Sequence, residues 1–222
     1  MSDDIIISPD VLRPDRLPPN QVQTRKWPVL HAGVVPRFDP ATWRFEVTGL
    51  VERPWSCTYE EFRSLPSVRV RADMHCVTRW SRLDNLWEGV STRTVLEKSG
   101  VKPEARFVFV ICEPPYPGEP PFTTNLPLED FLGEDCLFAW GHDGKDLEPD
   151  HGWPLRLVVP RLYAWKSAKW VRGIELMAED RPGFWESWEN GGYHMRGNPW
   201  PPPGVADGER FRTDSPPSFF GL

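Results

Sequence analysis

The sequence predicts an α+β fold of mixed β-sheets with short helices, and three observations predict it. Segments with period-2 alternation or continuous apolar runs of strand length recur along the chain. The helical patterns are brief, each bounded by a cap or a breaker. The chain also holds 26 prolines in 222 residues, more than twice the average share of about 5%. Proline interrupts helices and central strands alike, so short elements and long ordered loops are expected.

Residues 1–24 read as an irregular arm, because Pro9, Pro14, Pro18 and Pro19 oppose regular structure, while Ile5, Ile6 and Ile7 are suited to packing on the body. The segment R-K-W-P-V-L-H, residues 25–31, has two readings. It is a plain loop with an anchoring Trp27, or a wall for a flat, charged ligand in which Lys26 binds phosphate and Trp27 and His31 stack. Residues 43–48 alternate and place Trp43, Phe45 and Val47 on a buried face. Thr58 and Glu61 form a capping-box pattern that opens a short helix through Phe62. Residues 67–71 alternate as a half-buried strand. Residues 91–99 read as a helix stopped by Gly100 and Pro103.

The run F-V-F-V-I-C at 107–112 predicts a strand buried on both faces. The Pro-rich loop after it, residues 113–121, is a candidate pocket rim. Pro127 opens a short helix over 128–132, residues 137–140 form a strand, and Asp143-Gly144 is a hairpin turn. Two further strands are expected at 155–159 and 170–176. The organisation expected is an arm (1–24), one domain (25–178) and a Pro- and aromatic-rich C-terminal arm packed on it (179–222). No internal repeat is present.

The net charge is 26 − 32 = −6, which argues against a nucleic-acid partner. No apolar run reaches the length of a membrane span. Four cysteines without a C-x-x-C pair argue against structural zinc and leave two disulfides possible. The acidic start M-S-D-D lacks a signal pattern, so a cytoplasmic chain with reduced thiols is expected.

The stretch A-D-M-H-C-V-T-R-W-S, residues 72–81, carries the chemistry. It ends a strand at His75 and Cys76, where a thiol has a rigid support and still faces a cavity. His75 and Arg79 beside it are expected to favour the thiolate, the form that binds metal or attacks. A lone cysteine is more often a small core residue, by roughly four to one. A second constellation tips that balance. H-G-W-P-L-R (151–156) and W-K-S-A-K-W (165–170) flank one strand and bring the cations Arg156, Lys166 and Lys169 together with Ser167 as a cradle for an anion such as phosphate. Isolated lysines are solvated in roughly nine cases of ten, but here tryptophans flank them. No G-x-G-x-x-G or G-x-x-x-x-G-K pattern supports a Rossmann or P-loop site.

From about Arg25 to Met177 the chain resembles the molybdopterin-binding domain of the sulfite oxidase family, in its short, haem-free bacterial form, similar to the catalytic subunits of periplasmic sulfoxide reductases. C-V-T-R-W-S resembles the motif whose thiolate ligates molybdenum, implying Cys76 as the metal ligand. D-H-G-W-P-L-R resembles the pterin-binding segment, implying His151 and Arg156. K-S-A-K-W resembles the phosphate-holding segment, implying Ser167, Ala168 and Lys169 with Lys166 beside them. Lys26, Trp27, His31 and Cys112 fall near further cofactor contacts. Ser81 and Arg82 stand where the resemblance would place another arginine, and Phe122 where it would place a tyrosine. Residues 192–197 resemble a closing segment with no assigned chemistry.

The resemblance implies a molybdenum–molybdopterin oxidoreductase performing two-electron oxygen-atom transfer on a small sulfur or nitrogen compound. Arg79 and His75 are the candidates for substrate polarisation, and a separate haem or flavin protein would exchange the electrons. The rival reading is a non-catalytic α+β module binding an anionic metabolite or a protein partner, with Cys76 as core.

Overall fold

The computed structural model describes residues 4–187, 197, 199 and 200. Among them the strands are β1 (Ile5–Ile7), β2 (Val22–Gln23), β3 (Phe45–Gly49), β4 (Trp55–Cys57), β5 (Ser67–His75), β6 (Trp80–Ser91), β7 (Phe107–Cys112), β8 (Thr123–Pro127), β9 (Leu137–His142), β10 (Lys145–Asp146), β11 (Arg156–Val158) and β12 (Val171–Met177). The helices are α1 (Tyr59–Arg63), α2 (Thr92–Ser99) and α3 (Leu128–Phe131). This is the α+β class expected, with mixed sheets and short helices.

The first sheet runs β1-β5-β6-β9-β10, with β11 added on β9 and β2 on β6. The second runs β4-β3-β12-β7-β8, with β3 and β12 parallel and its other pairs antiparallel. The main core joins side chains of both sheets: Phe45 of β3 packs edge-on against Phe138 of β9 at 5.1 Å. Trp43, Phe45 and Val47 are buried, as their alternation requires. Both halves of the capping box form on α1: Thr58 Oγ1 accepts from the Glu61 N–H at 3.2 Å, and the Thr58 N–H donates to the Glu61 carboxylate at 2.8 Å.

The arm over residues 1–24 is more regular than its prolines suggest. β1 pairs in parallel with β5, Ile5 opposite Arg69, and β2 pairs in parallel with β6. The prolines fall between the two short strands, where no ladder needs their missing N–H. Arg16 fastens the arm with two bonds to the Asp73 carboxylate, at 2.9 and 2.6 Å. The four cysteines are free and buried, so neither disulfide forms. Residues 192–196 of the closing segment lie outside the described residues.

Two features position the site. β5 ends in a tight turn in which the Cys76 N–H donates to Trp80 O and the Arg79 N–H to Cys76 O, both at 2.9 Å. β11 is followed by a single 3-10 turn over Ala164–Lys166, which hands the chain to Ser167–Trp170 and then to β12.

Candidate active site

A cleft of about 930 Å³, counting space open to solvent, is lined by Cys76 and by residues from both predicted constellations. Trp27, His31, Cys112, Arg156, Ser167, Ala168 and Lys169 all line it. Cys76 is buried, with Thr78 Oγ1 donating to its sulfur at 3.1 Å. Burial pushes the thiol up from its ordinary range, while the Thr78 hydroxyl and the charge of Lys169 act the other way. Burial also pushes the Cys112 thiol up.

The neighbours expected to favour the thiolate do something else. His75 is fully buried, its Nδ1 lies 2.8 Å from Ser81 Oγ, and burial lowers it to about 4. It is neutral near pH 7 and is not among the cleft-lining residues. Arg79 is exposed, sits at φ 73° in the turn and does not line the cleft. A side chain at the turn's left-handed position leaves the pocket, so sequence proximity to Cys76 does not translate into contact. Lys26 is likewise exposed and outside the lining, although its neighbour Trp27 is within it.

Arg156 is 2% exposed. Its Nη1 donates to His151 O and its Nη2 to Ser167 O, both at 2.9 Å. Its guanidinium lies 5.4 Å from the ring centres of Trp27 and Trp87. Among the described residues neither Arg156 nor Lys169 makes an ion pair; the Lys169 ammonium donates to Asp150 O at 2.6 Å. Burial therefore lowers both, Arg156 to about 9 and Lys169 to about 7. Gly152, at φ 107°, lets the two segments close on each other: a Cβ there would come within 3.0 Å of Arg156 Cβ and 3.1 Å of Lys169 Cβ.

His151 stands behind Trp27 rather than in the cleft lining, stacked on it at 3.7 Å and 8°. Burial lowers it to about 4, so the stacked ring is neutral. Lys166 departs most from expectation. It is fully buried and turned from the cleft, its ammonium paired with Glu186 at 2.5 Å and bonded to Asn125 Oδ1 at 2.9 Å. It is a structural cation, while Lys169, three residues on, stays in the cleft. The Pro-rich loop contributes no lining residue between Cys112 and Phe122.

Val77, Trp80 and Trp165, which lie inside the two predicted segments, also line the cleft, as does Trp185, which sequence reasoning did not assign to it. Val77 and Tyr163 cluster with Cys76, and Leu30, Trp80, Trp165 and Trp185 pack against that cluster. The available signal was the aromatic content of W-K-S and F-W-E, which has no periodicity.

The donor set fits a molybdopterin carrying molybdenum. Two buried or half-buried cations without acidic partners leave positive charge that a phosphate would balance. Trp27 and His31 offer faces for a flat ring system. Among the described residues no group of three or more His, Cys, Asp or Glu side chains is arranged to hold a metal. Cys76 therefore suits a metal whose other soft donors arrive with the cofactor.

A family model described as oxidoreductase molybdopterin binding domain matches residues 31–185. The chain belongs to this family. It is 50% identical over 186 residues to a Bacillus subtilis (strain 168) protein named uncharacterized oxidoreductase YuiH, covering 83% of this chain and 89% of that one. It is 31% identical over 160 residues to the protein-methionine-sulfoxide reductase catalytic subunit MsrP of Gluconobacter oxydans (strain 621H), covering 67% of this chain and 51% of that protein. The sulfane dehydrogenase SoxCD structure from Paracoccus pantotrophus shares the fold, with a TM-score of 0.59 at 23% identity over 70% of this chain and 42% of that one. The protein is thus a molybdopterin-dependent oxidoreductase, and the non-catalytic reading is set aside. No helix among the described residues is long and apolar enough to cross a membrane.

Proposed function

We propose that the protein transfers an oxygen atom from an uncharged oxide, a sulfoxide before an N-oxide, in a two-electron reduction. The balance is R₂S=O + 2 H⁺ + 2 e⁻ → R₂S + H₂O, with the electrons supplied by a separate haem or flavin protein. The observation that carries this reading is the make-up of the cleft. Apart from Thr78, whose hydroxyl donates to the Cys76 sulfur, the residues that cluster with Cys76 are Val77 and Tyr163, with Leu30, Trp80, Trp165 and Trp185 packed against them, and Phe122 lines the same space. Its cations, Arg156 and Lys169, rest on main-chain carbonyls and suit the phosphate of the cofactor. A doubly charged anion such as sulfite needs further cations. Ser81 is buried on His75 and Gln21, and Arg82 is engaged by Asp143 at 2.6 Å, neither of them lining the cleft.

Bound molybdenum–molybdopterin supplies the two-electron chemistry and the oxygen-accepting centre. The chain's own residues would hold and orient it: Cys76 as sulfur ligand, Arg156, Ser167, Ala168 and Lys169 at the phosphate, Trp27 and His31 along the ring. The name of the Gluconobacter relative supports a sulfoxide substrate. A reducing compartment, the cytoplasm, is also our proposal, supported by the four unpaired cysteines; cell fractionation tests it. The substrate test is a steady-state comparison of sulfite oxidation with sulfoxide and N-oxide reduction, using artificial electron carriers. Sulfoxide turnover should exceed sulfite turnover, and a micromolar KM for sulfite would overturn the reading.

A further inference from the structure

Two cleft tryptophans are each followed by a charged residue that turns into the core. Trp165 is followed by Lys166, and Trp185 by Glu186. Lys166 and Glu186 then pair with each other at 2.5 Å, with both side chains fully buried. Glu186 also accepts from Thr124 Oγ1 at 2.5 Å and from the Asn125 N–H at 3.1 Å. The chain before it lies flat on β8. The Phe184 N–H donates to Thr123 O at 2.9 Å, and a Cβ on Gly183 would come within 2.7 Å of Thr123 O and Thr124 Cα. Residues 183–187 are therefore a strap bolted to the edge strand, and the bolt is shared with the segment that carries Trp165.

The strap presents an aromatic wall. Trp185 is parallel to Phe122 at 6.2 Å and 8°, and Phe184 meets Phe122 edge-on at 4.7 Å. Trp165 and Trp185 both pack against the cluster that contains Cys76. A buried ion pair contributes little net stability compared with apolar residues of similar volume, but it fixes one geometry, because either charge alone is costly in the core. Here the geometry that it fixes is the placement of two tryptophans about Cys76.

We propose that Trp185 is a specificity-determining residue that selects oxides bearing an apolar, ring-sized substituent, and that Lys166 and Glu186 are positioning residues that hold it there. This rests on the uncharged-oxide reading above. The stacking partner such a wall recognises is a flat apolar group, with the oxide oxygen left free to face the metal ligand's end of the cleft.

The experiment compares methyl phenyl sulfoxide with dimethyl sulfoxide on the molybdenum-loaded protein. Trp185→Ala should raise KM for the aryl substrate about tenfold relative to any change in KM for dimethyl sulfoxide, the scale of lost aromatic packing. Trp185→Phe should restore most of the aryl preference. Glu186→Gln keeps the side-chain shape but leaves the Lys166 ammonium without its counter-charge, and should give the same KM pattern. Molybdenum per chain should be unchanged in Trp185→Ala. Calorimetric binding of methyl phenyl sulfone, which lacks the reducible sulfoxide, should weaken by the same factor in Trp185→Ala. Equal KM changes for both sulfoxides, or an effect that tracks molybdenum loss, would overturn the inference. If the wild type reduces neither sulfoxide, the substrate reading fails, and sulfone binding still decides the wall: binding absent from the wild type, or unaffected in Trp185→Ala, overturns it.

Discussion

Arg156 and Lys166 are cations of similar burial, at 2% and 0% exposure, to which the sequence assigns one shared role. Their surroundings separate them. Arg156 faces the cleft and donates only to neutral carbonyls, so its charge has no protein counter-ion among the described residues. Lys166 faces the core and has a carboxylate at 2.5 Å. A buried cation without an acid is an incomplete site that an anionic ligand completes, whereas a buried cation with one is a strut. The arm offers the converse case in Asp10, an acid that is 8% exposed with an unpartnered Oδ2 and is raised to about 6, chiefly by burial.

The largest effect that sharpens this contrast is expected at Lys166. Lys166→Ala strands Glu186 in the core and should cost about 3–5 kcal/mol of stability, read as a lower urea midpoint. A loss below about 1 kcal/mol would erase the distinction. Asp10→Asn should act in the opposite direction. The folded-state pKa of Asp10 is raised, so its contribution is present below pH 3.8 and is lost as pH rises through about 6. The asparagine variant should therefore be more stable at pH 7, by up to about 3 kcal/mol at 1.36 kcal/mol per pKa unit, with the advantage gone near pH 4. Chemical denaturation at the two pH values reads it, and an equal difference at both would count against the assignment.

Arg156→Ala should leave stability nearer the wild type than Lys166→Ala does and lower cofactor content instead. It removes charge-assisted bonds worth about 1.5–3 kcal/mol, or roughly ten- to a hundredfold in affinity. Pterin and molybdenum assays read this, and full occupancy would mean that the cation is structural after all. Cys76→Ser is the control, expected to keep the fold while losing activity. Lys169→Ala should show the smallest change, in the same direction as Arg156→Ala, because Lys169 is only half-buried and already lowered to about 7, partly neutral at physiological pH.

The elements most legible in the sequence are those whose stabilising partners are local. The Thr58–Glu61 box and the helix that Gly100 ends needed only a few neighbouring residues to be recognised. β6, the longest strand, escaped because its pattern is inverted. Ser81 and Asn85 are fully buried, bonded to His75, Gln21, Ala72 and Arg82, while Leu83 and Leu86 are only half-buried. Polar residues satisfied by distant groups break the apolar periodicity that marks a strand. β8 was hidden in the same way, since the strap on Thr123–Asn125 comes from some 60 residues downstream.

What the sequence by itself determined is the fold class, Cys76 at the end of a strand, and the segments that carry the cleft's cations and rings. Those follow from residue type and local period. Which cations face the cleft was settled only in three dimensions. The 3-10 turn at Ala164–Lys166 and the left-handed Trp170, at φ 55°, direct Lys166 inward and leave Lys169 in the cleft. Charge is a property of one residue, but whether it meets a carboxylate, a carbonyl or a ligand depends on chain that arrives from elsewhere.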